Sequence, residues 1–158
     1  MERRVRAQRE SHPWLVFEED GDVVAYAYAS EHRTRRAYRW CVEVSAYAHE
    51  RARRRGIGRA LYACLLELLR RQGYANAYAG ITLPNPASLG LHEAMGFCMV
   101  GVYPKIGFKQ GQWHDVAWLQ LRLRDDSVPA EPLPTQALYA QNDLAALFER
   151  HAAGARED

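Results

Sequence analysis

The stretch "RARRRGIGRALYACLLELLRRQGY", Arg51 to Tyr74, decides how this chain is read. Ile57, Leu61, Cys64, Leu65 and Leu68 recur at helical spacing, and Gly73 stands where a C-terminal cap belongs. The pattern predicts a helix over Gly56 to Gln72, begun by a crowd of cations: Arg51, Arg53, Arg54 and Arg55. A Walker phosphate loop is excluded, because Gly58 is followed by Arg59 and Ala60 rather than by Lys and Ser or Thr. The dinucleotide pattern Gly-x-Gly-x-x-Gly fails as well, since Leu61 occupies its third glycine position. A nucleic-acid patch has its arginines here but no aromatic interleaving. Two readings remain. The arginines solvate a helix start, although cations there oppose the macrodipole at about 0.3–1 kcal/mol each when exposed. Alternatively an anion binds, with Gly56 and Gly58 letting the backbone approach and present its N–H groups. A strand, then Arg53-x-x-Gly56-x-Gly58, then a helix, has the physics of a diphosphate-binding loop.

Composition sets the outer bounds. At 158 residues the chain is sized for one ordinary domain with a real core. A charged fraction of 25% and a hydrophobic fraction of 48% place it among soluble globular proteins. Net charge is only +2, so positive charge is local rather than general, which argues against a nucleic-acid partner. Cys41, Cys64 and Cys98 are odd in number, far apart and set among apolar residues. That usage fits reduced thiols in a cytoplasmic protein better than a disulfide framework. The six histidines are scattered without ligand spacing, so no metal site is expected. No run approaches the roughly 20 apolar residues of a membrane helix, and no apolar signal core follows the first arginines.

Around the opening stretch the chain alternates in a regular way. "PWLVFEEDGDVVAYAYAS" predicts two strands joined at Asp20-Gly21-Asp22, and "AYRWCVEVSAYA" (Ala37 to Ala48) a third. "YANAYAGITL" is the fourth. "NPASLGLHEAMGF" follows as a helix, with Asn85 as N-cap, Pro86 in the first position and Gly96 as terminator. "FCMVGVYP" and "HDVAWLQLRL" are the fifth and sixth strands, joined through a loop "KIGFKQGQW". Leu119, Leu121 and Leu123 share one face of the last, as a helix-covered sheet requires. After Arg124 comes the linker "DDSVPAEPLP", then one helix over "TQALYAQNDLAALFERHAA" with Leu138, Leu144, Leu147 and Phe148 available for packing. The order β-β-β-α-β-α-β-β is an α+β pattern with a helical crossover between neighbouring strands. Residues 1–124 are expected to form the principal domain, and 125–158 a proline-containing linker with its helix.

Two of these segments, in this order, resemble the GCN5-related N-acetyltransferases (GNAT). Arg53-x-x-Gly56-x-Gly58 resembles their acetyl-CoA pyrophosphate loop, and "NPASLGLHEAMGF" their Asn-x-x-Ser-x-x-x-(Tyr/His)-Glu-x-x-Gly-Phe segment. From His12 to Leu123 the chain is similar to the phosphinothricin/methionine sulfoximine N-acetyltransferase branch, through "RTRRAYRWCVEVSAYA", "LPNPASLGLHEAMGF" and "GFKQGQWHDVAWLQL". The resemblance implies a mixed six-stranded sheet flanked by helices, acetyl-CoA as co-substrate, a small amino-acid amine as acceptor, and a homodimer. Glu43 falls on the branch's catalytic glutamate, taken to deprotonate the ammonium directly or through water. His92 falls where many members carry a tyrosine as general acid. For the cofactor the resemblance implies the loop Arg53, Arg54, Arg55, Gly56, Ile57, Gly58 and Arg59, the strand backbone at Val44 and Ala46, and Asn85 with Ser88. Arg54 and Arg55 stay open between the 3′-phosphate and solvation. For the acceptor it implies Arg33, Arg35 and Tyr38, with Lys109, Trp113 and His114 on the later loop.

Each role has a plainer counterpart. Glu43 fits the wet face of a strand, His92 a backbone-bonded helix face, Ser88 the cap alone, and the later loop ordinary hairpin packing. The superfamily also begins with a strand and two helices that this sequence lacks before Trp14. "MERRVRAQRES" corresponds at most to the end of the second helix. The edge so bared is expected to be covered by the C-terminal helix or by a second subunit. Two other functions compete: an acetyl-CoA-binding module without catalysis, and acetylation of a different amine such as a protein N-terminus. A polyamine acceptor is disfavoured, because only Glu31 and Glu43 are acids near the expected pocket.

Overall fold

A computed structural model of the chain describes residues 11–125, 128–141 and 144–155. The helical remnant expected before Ser11 lies outside these residues. Six strands form one mixed sheet: β1 (Trp14–Glu19), β2 (Asp22–Glu31), β3 (Cys41–Ala48), β4 (Asn76–Thr82), β5 (Cys98–Lys109) and β6 (Gln112–Arg122). Their spatial order is β1-β2-β3-β4-β6-β5. All neighbours are antiparallel except β3 and β4, which run parallel and are joined across by helix α1 (Ile57–Gln72). Helix α2 (Pro86–Ala94) connects β4 to β5, and α3 (Thr135–Gln141) and α4 (Ala145–Gly154) close the described chain.

The β1–β2 turn is tight because Asp20 and Gly21 both adopt positive φ, 54° and 83°. Helix α1 buries Ile57, Leu61, Tyr62, Cys64, Leu65, Leu68 and Leu69 against the sheet and against α4. It stops at Gly73 (φ 95°), where the N–H groups of Gly73 and Tyr74 bond the carbonyls of Arg70 and Leu69. Alternation does the rest. Val42, Val44, Ala77, Ala79, Ala117 and Leu119 face this core, and their strand neighbours face the opposite side.

Three expectations need correction. The third strand starts at Cys41, not Ala37, because Arg36–Tyr38 form a 3₁₀ turn whose Tyr38 N–H bonds the Arg35 carbonyl. The connection Lys105 to Trp113 is not a loop. β5 and β6 stay paired to Lys109↔Gln112, with only Gln110 and Gly111 turning and an irregularity between Tyr103 and Gly107. The C-terminal segment forms two helices rather than one, burying Leu138, Leu144 and Leu147 while Phe148 stays partly exposed. Gln72, itself buried, fastens this segment by donating to the carbonyl of Leu133 at 2.7 Å, and α4 adds Arg150 and His151 on Glu67. Helix α4 therefore lies on α1, and its Phe148, His151 and Ala152 share a pocket with Leu15, Val16 and Phe17 of the edge strand β1.

Candidate active site

The site begins where the two parallel strands part. β3 and β4 pair only at Cys41↔Asn76, Val42↔Ala77 and Glu43↔Tyr78. Beyond that point β3 continues to Ala48 beside β2, and β4 continues to Thr82 beside β6. Val44 and Ala46 thus belong to a strand whose backbone groups on the β4 side have no strand partner, a slot for a molecule with amide groups of its own. Glu43 sits at the apex of the fork, on the face away from α1.

Its side chain is 33% exposed and does not stand alone. His32, just past the end of β2, places Nδ1 3.0 Å from a Glu43 carboxylate oxygen. Arg33 reaches within 3.8 Å of the same oxygen and donates to the His32 carbonyl at 3.2 Å. The His32 ring stacks on Tyr78 at 4.5 Å and meets Trp118 edge-on at 5.9 Å. Burial raises the Tyr78 phenol above its ordinary pKa, keeping it neutral. His32, Arg33, Tyr78 and Trp118, with Val100, Gly101 and Tyr103, line a cavity of about 250 Å³, and Glu43 adjoins it through His32. A Cβ at Gly80 would come within 3.3 Å of the Trp118 ring, so a side chain there would require that ring to give by a few tenths of an ångström.

The second part of the site is the beginning of α1. Gly56 adopts φ 66° and gives the helix no side-chain cap, so the first N–H groups have no capping side chain. Gly58 opens onto empty space. The arginines divide into two groups. Arg55 makes a two-pronged pair with Glu19 of β1 at 2.6 and 2.9 Å, and Arg51 bonds Asp22 at 2.8 Å. Glu19 raises the Arg55 guanidinium pKa through hydrogen bonding and charge. Arg53, Arg54 and Arg59 are exposed; Arg53 has Glu50 at 4.0 Å, and neither Arg54 nor Arg59 has an ion-pair partner among the described residues. An uncapped helix N-terminus, a bare glycine and three exposed cations suit a diphosphate. Arg55, by contrast, is occupied in tying the loop to the sheet.

His92 is not placed as a proton donor. It is 5% exposed, with Nδ1 donating to the Ser88 carbonyl at 2.7 Å and Nε2 accepting from the Tyr62 hydroxyl at 2.9 Å. Burial lowers its pKa, and the Ser88 bond only partly opposes that. His92 is thus held as a doubly bonded ring in the seam between α1 and α2, with its neutral form favoured by burial. Asn85 accepts from the Ser88 N–H at 3.1 Å, so both residues form the cap of α2. Of the expected acceptor residues, Arg33 reaches the cavity. Arg35 and Tyr38 lie on the exposed turn before β3, and Lys109, Trp113 and His114 at the far end of the β5–β6 hairpin, none of them lining it. There His114 donates to the Lys109 carbonyl and Trp113 packs on Phe108.

His32, Tyr78, Tyr103 and Trp118 were not anticipated. The sequence held one cue. Counting in twos from Tyr26, Tyr28 and Ser30 puts His32 on the Glu43 face, because Ser30 pairs with Glu43. Among the described residues no group of three or more His, Cys, Asp or Glu is placed to hold a metal ion.

Comparison with known proteins agrees with this architecture. The acetyltransferase (GNAT) domain model matches residues 1–118. The chain belongs to the GNAT acetyltransferase family. It is 41% identical over 128 residues to a phosphinothricin N-acetyltransferase of Streptomyces viridochromogenes, covering 81% of this chain and 68% of that one. It is 37% identical over 118 residues to an L-methionine sulfoximine/L-methionine sulfone acetyltransferase of Salmonella typhimurium, covering 75% and 69%. Among solved structures, a GNAT-superfamily phosphinothricin acetyltransferase from Sinorhizobium meliloti in complex with AcCoA superposes with a TM-score of 0.75. That match has 37% identity and covers 87% of this chain and 78% of that one.

Proposed function

We propose that this GNAT acetyltransferase moves the acetyl group of acetyl-CoA to the α-amine of a small amino acid or analogue of the phosphinothricin or methionine sulfoximine kind. The observation that carries the reading is Glu43 at the apex of the β3–β4 fork, bonded to His32 of the aromatic cavity, in a fold that also presents an uncapped helix start. Acetyl-CoA supplies the activated acyl group. In this assignment Arg53, Arg54 and Arg59 hold its phosphates with the N–H groups of Ile57 to Arg59, while Val44 and Ala46 offer backbone groups to its arm. Glu43 drives deprotonation of the acceptor ammonium, as an amine must be neutral to attack a carbonyl. Arg33, beside that carboxylate and lining the cavity, is the cation assigned to an acceptor's own acid group. His92 and Arg55 have structural work instead.

A cytoplasmic homodimer fits the same reading. All three cysteines are free, and among the described residues no helix is long and apolar enough to cross a membrane. The β5–β6 hairpin leaves Val100, Ile106, Phe108 and Trp113 between 54% and 62% exposed, an apolar surface that a second copy would cover. The decisive experiment is a thiol-release screen with acetyl-CoA against amino acids, methionine sulfoximine, methionine sulfone, phosphinothricin, a polyamine and an N-terminal peptide. Release confined to the amino-acid group supports the assignment. Release with the peptide alone moves the acceptor to a protein N-terminus, and binding of acetyl-CoA without release leaves only a binding module.

A further inference from the structure

Glu43 is bonded to a residue that lines the cavity, and the nature of that partner changes the chemistry. We propose that His32 is the atom-level proton acceptor of this site, with Glu43 as the carboxylate that orients it; the assignment rests on the acetyl-transfer reading above. A carboxylate oxygen only accepts hydrogen bonds, so the 3.0 Å contact to Nδ1 places the ring proton on Nδ1. In the neutral ring that leaves the lone pair on Nε2. Nε2 has no hydrogen-bond partner among the described residues, and it is not among the side-chain atoms closed off from solvent. The ring itself is fixed: its face lies on Tyr78 at 4.5 Å, its edge is against Trp118 at 5.9 Å, and it is one of the residues lining the cavity. A base held by a carboxylate on one nitrogen and open on the other is the arrangement that accepts a proton from a bound group.

The step balances without a further reagent. An N–H bond of the acceptor ammonium breaks, the proton forms an N–H bond on His32 Nε2, and the electron pair stays on the amine nitrogen. The imidazolium is stabilised by Glu43 and returns its proton to solvent or to the departing thiolate. The charged and titratable groups around the ring are Glu43 on β3, Arg33 next to it, Tyr78 on β4 and Tyr103 on β5. Burial holds Tyr78 neutral. Glu43 is therefore the single anion available to the imidazolium in this set. Both contacts of Glu43 fall on one carboxylate oxygen, shared between His32 and Arg33, whereas His32 is the member of the pair that lines the cavity.

Three measurements test this on the intact chain. In His32→Gln the amide still donates to Glu43 but takes up no proton. We expect kcat/KM for the acceptor to fall about 100-fold, the acid limb of its pH profile to disappear, and the KM for acetyl-CoA to stay put. Added imidazole should partly restore His32→Ala, which a merely structural role would not allow. An unchanged pH profile and kcat in His32→Gln overturn the proposal while leaving acetyl transfer intact. Independently of turnover, nitrogen NMR of the histidine-labelled protein should show His32 protonated on Nδ1, and Glu43→Gln should remove that preference. A ring protonated on Nε2 overturns the dyad. A wild-type protein that binds acetyl-CoA but releases no thiol with any amine sinks the acetyl-transfer reading, and the proton step falls with it.

Discussion

The two halves of the site are made of different material. At the start of α1 the proposed recognition elements are backbone N–H groups, with a left-handed Gly56 before them, an unobstructed Gly58 among them and exposed arginines around them. At the fork the proposed recognition is by side chains: Glu43 from β3, His32 from the end of β2, Tyr78 from β4, Trp118 from β6. A backbone site depends on one local segment having the right conformation. A side-chain site depends on four segments being in register. The first kind tolerates loss of any single arginine and fails when bulk enters. The second fails when one atom is exchanged.

The largest effect is expected at the fork. Glu43→Gln keeps shape but not charge, so kcat/KM should drop about 100-fold or more at unchanged acetyl-CoA affinity. Full turnover with a normal pH profile would remove Glu43 from the chemistry. The complementary change is Gly58→Glu. Since a side chain there meets nothing, and an acid in the first turn favours the helix, Tm should hold or rise. Acetyl-CoA binding measured by calorimetry should nevertheless weaken about tenfold, roughly 1.4 kcal/mol. Unaltered binding would show that the diphosphate lies elsewhere.

Outside both halves, Tyr62→Phe leaves the buried Nε2 of His92 without its donor, costing about 1–3 kcal/mol in urea unfolding. Turnover should stay within about twofold of wild type; a large kcat loss would return His92 to the reaction. Burial lowers the His92 pKa below its ordinary 6.5, so its contribution is present above that value and lost as pH falls below it. The smallest effect is at Glu67. Burial alone would raise its carboxyl, but hydrogen bonds from Arg71, His151 and Arg150 outweigh that and hold it at about 2. Its share of stability is then complete above pH 4.5 and lost as pH falls towards 2. Glu67→Gln should flatten acid unfolding across that window by circular dichroism while leaving turnover alone.

Much of this was legible without coordinates because it is local. The helix from Ile57, its stop at Gly73, the Asn85 cap and the turn at Gly21 are each set by neighbours within a few positions, and the structure has them as read. The misreadings were also local in cause. Glycines at 107 and 111 suggested a loop from Lys105 to Trp113, yet Gly107 is accommodated by an irregularity inside the β5–β6 pairing. His92 stood in a motif position that suggests chemistry, but nothing near it in the sequence announces Tyr62, thirty residues away, which occupies its second nitrogen.

By itself, then, the sequence determined the order of elements, the family and the loop that suits a diphosphate, because spacing and turn chemistry act over short distances. Tertiary structure alone decided which charged residues do what. Glu19 draws Arg55 away from the loop, the distal turn of the β5–β6 hairpin takes Lys109, Trp113 and His114 away from the cavity, and the β2–β3 register brings His32 to Glu43. Those outcomes rest on register between strands distant in the chain, and the polarity of a single residue carries no information about the partner it will meet.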